Sequence, residues 1–281
     1  MERIRSPAVA GSFYPADADE LAQLLDECFA SSPLGPQGAK TPSPSIVGGM
    51  VPHAGYIFSG PCAAHFYACL EPSIRRVILL GVNHWARGYR AALSPWESWE
   101  TPLGHVPVDQ ELNDFFAARV SFLKKDQHAH TGEHSIEVHL PFLQRFVGDF
   151  TFVPISLSFL SREESTELGA AIAEVCNIEP DSKMRTVILA SSDLSHYLSP
   201  KETEELDKMA LEKILALDPV GLSGTVEKEN ITMCGVLPTA VLLFAANRLG
   251  VKRSHLLKHC HSGDVSPMRK VVGYASVGFE I

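Results

Sequence analysis

Short continuous apolar runs alternate along this chain with stretches of helical periodicity. The runs occupy residues 46–51, 77–82, 150–157, 187–190 and 272–279, and helical spacing covers 60–70, 109–118, 135–146, 162–176, 200–215 and 235–249. A strand that is apolar at every position has to be covered on both faces. The alternation therefore predicts an α/β fold with a central mixed, largely parallel sheet flanked by helices. Ahead of it, Asp17 with Glu20 three residues on reads as a capping box, opening a helix through Leu21, Leu24, Leu25 and Cys28. Residues 31–45 carry four prolines and two glycines and read as an exposed loop, too early in the chain to divide two domains. With no internal repeat, residues 1–281 read as a single domain.

Composition narrows the function classes. A net charge of −9 argues against a general nucleic-acid binder, which would present a basic face. No apolar stretch approaches the roughly 18 residues that span a bilayer, and residues 1–17 lack the apolar segment of a secretory signal. The six cysteines form no C-x-x-C pair, so reduced thiols in a cytoplasm are expected, with no membrane association. The 12 histidines are the compositional oddity, and histidine is the commonest metal ligand.

Polar clusters close three of the apolar runs. The first run ends in Pro52-His53-Ala54-Gly55-Tyr56, the second in Asn83-His84-Trp85, and the fourth in Ser191-Ser192-Asp193-Leu194-Ser195-His196. Open α/β sheets bind ligands outside the carboxyl ends of their strands. If these strands are parallel neighbours, His53, His84, Asp193 and His196 converge. Any one of them alone reads as a loop residue or a helix cap; the repetition at equivalent places favours a site.

Other clusters carry less. His130-Thr131-Gly132-Glu133-His134 spells H-x-x-E-H, a metallopeptidase pattern that works only on a helix, and Thr131-Gly132 is poor helix material. The 132–135 loop is the better contributor, with Glu133 or His134 supporting a neighbouring ligand. His259-Cys260-His261 reads as a strand with both histidines on one face and the cysteine on the other. His65 is expected along a helix, His255 on a strand and His128 in a loop. Cys234 precedes a helix whose positive end would favour thiolate, and a buried small residue is an equal reading. There is no dinucleotide-binding G-x-G-x-x-G and no P-loop.

Taken in order, the His53 and His84 turns, Glu133-His134-Ser135-Ile136-Glu137-Val138-His139-Leu140-Pro141, the Asp193 segment, Cys234-Gly235 and the opening Ala10-Gly11-Ser12-Phe13-Tyr14 resemble the Memo family over nearly the whole chain. The prokaryotic branch is called AmmeMemoRadiSam system protein B, and its usual companions are an AMMECR-type protein and a radical SAM protein. The resemblance implies a fold shared with class III extradiol ring-cleavage dioxygenases, which hold non-haem iron with two histidines and a carboxylate. It also implies metal ligation by His53 and His84, with Cys234 in place of the carboxylate. His196 would resemble the acid/base histidine of those enzymes, and Asp193 would line the same site and orient a histidine. One transition metal is expected, iron(II) first, with copper or zinc as alternatives.

Two features limit what the resemblance carries over. Thiolate is softer than carboxylate, which shifts preference toward copper(I), zinc or thiolate-bound iron. Eukaryotic members often follow Cys-Gly with Arg-His-Pro, whereas this chain has Val236-Leu237-Pro238. The expected function is redox or oxygen-linked chemistry on an unknown small-molecule or protein substrate. A metal-free cysteine hydrolase using Cys234, or a binding or adaptor protein that kept the pocket, are the alternatives. The sequence shows no oligomerisation pattern.

Overall fold

A computed structural model describes residues 3–178 and 185–281. The chain begins with β1 (Ile4–Arg5), α1 (Ala18–Asp26), β2 (Ile46–Val51), α2 (Tyr56–Tyr67) and β3 (Ile74–Val82). Short strands come next, β4 (Ala91–Leu93), β5 (Ser98–Thr101) and β6 (Gly104–Pro107), then α3 (Gln110–Arg119), β7 (Lys124–Lys125) and α4 (Leu140–Phe146). The second half runs β8 (Thr151–Leu157), α5 (Arg162–Ile178), β9 (Arg185–Ser191), β10 (His196–Leu198), α6 (Pro200–Leu215), α7 (Pro219–Lys228) and α8 (Val236–Leu249). It closes with β11 (Arg253–His261), the short α9 (Ser262–Val265) and β12 (Val271–Glu280).

One mixed sheet organises the molecule. Its order among the described residues is β10-β12-β2-β9-β3-β8-β4-β7, with β11 also pairing β12. The central strands β2, β9, β3 and β8 are mutually parallel, and antiparallel partners β12 and β4 flank them. Alternate residues of the central strands face opposite cores. Ile78, Leu80, Ile188 and Ala190 pack with the α5–α8 side, whereas Val77, Leu79, Val187 and Leu189 pack with the α2–α4 side. Cover on both faces is the physical reason for the continuous apolar runs.

Several boundaries differ from those expected. Helix α2 starts at Tyr56 rather than Gly60 and carries Pro61 inside it. The segment expected to be helical from residue 135 makes only a 3₁₀ turn, Glu137–His139, before α4 begins at Leu140 with Pro141 in its first turn. Proline there suits a helix start, because its missing N–H is one of the unpaired donors anyway. The small sheet β1-β5-β6 was not foreseen. The expected 259–261 strand lies at the end of β11, where Cys260 packs with Cys62 and Tyr274.

Candidate metal centre at the strand ends

Parallel pairing in register brings the ends of β2, β9 and β3 side by side: Val51 faces Ser191, and Leu80 faces Ala190. His53, Asp193 and His84 each come just after one of these ends, so the turns converge on one crevice. Two close approaches tighten it. A Cβ on Gly235 would lie 2.3 Å from the Ser191 carbonyl oxygen and from Ser192 Cβ, so only glycine lets the start of α8 meet the end of β9. Likewise a Cβ on Gly81 would lie 2.4 Å from Ile136, where the 133–139 segment crosses β3.

The ring nitrogens of His53, His84 and His134 gather so that one from each lies within 4.8 Å of the others. The His53 ring meets His84 edge-on at 5.1 Å and His134 edge-on at 5.4 Å, while His84 and His134 stack at 4.7 Å. Cys234 Sγ lies 3.3 Å from His53 Nε2. His134 was expected to support a ligand from outside; its ring instead belongs to the cluster.

Glu133 organises two sides of the site. Its Oε1 accepts hydrogen bonds from His84 Nδ1 at 2.9 Å and from the backbone N–H groups of His134 and Ser135, while Oε2 accepts from His84 N. Burial opposes its ionisation, yet the His84 hydrogen bond, the nearby imidazoles and the Ser135 N–H together hold its carboxyl down at about 2. An ionised carboxylate accepts only, so His84 carries a proton on Nδ1, and Nε2 is the nitrogen left to act as a ligand. His196 is fixed the same way, with Nδ1 donating to the Thr232 carbonyl at 2.8 Å.

Asp193 does something other than expected. It does not orient an imidazole through a ring N–H; its Oδ1 accepts from the backbone N–H of His53 at 2.8 Å, and Oδ2 stands 4.0 Å from His53 Nε2. Burial pushes its carboxyl up to about 6, against the lowering effect of the His53 N–H. The surroundings of Cys234 oppose the thiolate that the helix end would favour. Burial, and then the Asp193 charge, push its thiol well above the ordinary range. Burial and the neighbouring imidazoles hold His53 far below its usual value, so His53 is neutral.

Sequence reasoning missed a brace on the site. Arg5 is 2% exposed; its guanidinium donates to the His130 and Glu133 carbonyls and to Glu137 Oε2, and lies 4.0 Å from the Trp99 ring centre. Glu137 also accepts from Ala8 N, Val9 N and the Tyr14 hydroxyl. This brace holds residues 5–14 in place and sets Phe13 against the His134 ring at 4.6 Å. Nothing in the arginines near the start announced it, although Glu137 and Tyr14 both sit inside the Memo-like motifs. His130 of the H-x-x-E-H string stands apart from the cluster, its Nε2 donating to the Ala92 carbonyl.

A family model described as "Memo-like protein" matches residues 5–278. A MEMO1 family protein of Methanopyrus kandleri is 41% identical, covering 98% of each chain. One from Ignicoccus hospitalis is 42% identical, covering 99% of each. A crystal structure titled as an uncharacterized protein, JW3007, from Escherichia coli K12 overlays with a TM-score of 0.49 at 15% identity, covering 83% of this chain and 99% of that one.

Proposed function

The chain belongs to the Memo-like protein family, and on that footing we propose that it binds one transition metal at His53, His84 and Cys234, with His134 as a further donor. The observation carrying this reading is the convergence of the three imidazoles, with the Cys234 sulfur beside them. Donors about 2.0 and 2.3 Å from one tetrahedral ion sit roughly 3.5 Å apart, close to the spacing of Cys234 Sγ and His53 Nε2. The donor chemistry also fits. Neutral imidazoles present lone pairs, and a thiol loses its proton when it binds a metal.

The proposed metal is iron(II), with copper or zinc as alternatives; imidazole suits all three, and thiolate favours copper(I) and zinc. A redox-active ion here would supply electron transfer for redox or oxygen-linked chemistry on a substrate entering the strand-end crevice. The protein's own part is to hold and exchange protons. His196, with Nδ1 tied to Thr232, has Nε2 free to accept one, and Asp193 braces the His53 backbone. AMMECR-type and radical SAM proteins are the proposed partners. The His53 imidazole beside Cys234 is held too low to form a thiolate–imidazolium pair with it, and a metal-free hydrolase using Cys234 with His196 or His84 as base stays the alternative.

Metal content tests the reading. Protein purified without added metal should carry close to one equivalent of iron, copper or zinc by mass spectrometry. His53→Ala and Cys234→Ser should abolish it, and His134→Ala should weaken binding without abolishing it. Metal content unchanged in the first two variants would refute the assignment.

A further inference from the structure

Ser191 Oγ, at the end of β9, is the meeting point of a buried hydrogen-bonded chain outside the metal cluster. It lies 2.6 Å from the Ser135 carbonyl oxygen, 2.6 Å from His53 Nδ1 and 2.8 Å from His139 Nε2. The other nitrogen of His139 lies 2.8 Å from the hydroxyl of Tyr67. Ser191, His53, His139 and Tyr67 are all at most 2% exposed, so water does not compete.

Counting hydrogens fixes the chain. The Ser135 carbonyl can only accept, so the single Ser191 hydroxyl hydrogen points to it. Ser191 Oγ then has two lone pairs and two imidazole neighbours, and both must donate. His53 therefore carries its proton on Nδ1 and His139 on Nε2. The bare Nδ1 of His139 accepts from the Tyr67 hydroxyl, and every polar atom in the chain is paired. With His53 in its other form, Nδ1 and Oγ lone pairs would face each other at 2.6 Å, and an N–H would point toward the Cys234 sulfur. With the proton of His53 on Nδ1, the thiol of Cys234 has a bare Nε2 to donate to.

We propose that Ser191, with its hydroxyl hydrogen held by the Ser135 carbonyl and its other lone pair filled by His139, which Tyr67 fixes, is a positioning residue that keeps the proton of His53 on Nδ1 and leaves its Nε2 lone pair directed at the cluster. The purpose rests on the metal-site reading; the location of the protons does not. Tyr67 ends α2 and stacks on Phe142 of α4 at 4.7 Å, and His139 ends the 3₁₀ turn before that helix. The chain thus runs from one site histidine to the contact between α2 and α4. The other buried tyrosines near it do not serve this chain: Tyr56 donates to the Val138 carbonyl and Tyr14 to Glu137.

Long-range proton–nitrogen NMR on histidine-labelled, metal-free protein reads the tautomers directly. His53 is expected as the Nδ1–H form and His139 as the Nε2–H form. Ser191→Ala should shift His53 to a mixture, and Tyr67→Phe, which keeps the ring stack, should do so for His139. Cobalt(II) titration should then show affinity lower by about 10–100-fold in Ser191→Ala and by less in Tyr67→Phe. Phe142→Leu is the packing control: it should reduce stability and leave both tautomers in place. Finding His53 as the Nε2–H form, or both tautomers unchanged in Ser191→Ala and Tyr67→Phe, would overturn the proposal. Wild-type protein that fails to take cobalt while its His53 tautomer still depends on Ser191 would refute the metal reading and uphold the chain.

Discussion

Glu133 shows how much of the site is decided by single atoms. Four of its contacts are hydrogen bonds from N–H groups of His84, His134 and Ser135, and each needs an acceptor. Glu133→Gln keeps the shape but replaces one oxygen by an NH₂ that faces donors. Metal affinity, read by cobalt or zinc titration, should fall by about 10–100-fold, because His84 loses the partner that fixes its Nδ1 proton. Affinity equal to wild type would mean that the carboxylate plays no part in presenting His84. The strand-end histidines were legible because each stands next to an apolar run. Ser191 and His139 were not, because their roles lie in contacts across 138 and 52 positions of sequence. No local pattern distinguishes a serine that accepts from two imidazoles from one that ends a strand.

Elements set how closely those atoms can meet. The start of α8 carries Cys234 to His53 only because Gly235 leaves room against β9, and the Gly235 N–H is held by Ser192 Oγ at 3.0 Å. Its φ of −94° suits any residue, so the constraint is space and not backbone conformation. Gly235→Ala should destabilise by about 1–3 kcal/mol through overpacking. It should also pull Cys234 away from His53, seen as faster alkylation of Cys234 in metal-free protein at neutral pH. Normal stability with an unchanged alkylation rate would contradict the close-approach argument. The strands and long helices were legible because their periodicity is strong. The small strands β4 to β7 span two to four residues each and are held by tertiary pairing, which leaves little periodic trace. The 3₁₀ turn before α4 was misread because its polar residues, Glu137 and His139, face the interior, where Arg5 and Ser191 meet them.

Across the whole molecule, buried histidines govern the response to acid. Burial holds His130 and His139 down at about 3, and His134 at about 4, against the ordinary 6.5. Each binds a proton in the unfolded chain before it does so in the folded one. Their stabilising contribution is therefore complete above pH 6.5, declines below it, and is gone once pH has fallen through 4 and then 3. Asp193, raised to about 6, works in the opposite direction: its contribution is present below 3.8 and lost as pH rises through 6. Each histidine should contribute about 2 kcal/mol of lost stability between pH 6.5 and 5. Asp193 offsets only part of the sum. Urea unfolding of metal-free protein should show a clear fall across that interval, and a flat profile would show that these imidazoles are not held neutral by the fold.

The position of β12 has a consequence for how the molecule is made. It is the last strand of the sequence, yet it sits inside the sheet, where it pairs with β2, β10 and β11. Its Gly273 exchanges hydrogen bonds with Leu194 and Ser195, the backbone between Asp193 and His196. The parallel strands can assemble first, but the Leu194 and Ser195 backbone lacks its Gly273 partner until β12 joins the sheet. Pairings between such distant segments form slowly. An intermediate that lacks β12 would therefore leave the sheet's β2 edge open and the crevice unfinished, a species in which a chaperone would meet the apolar edge rather than the finished protein.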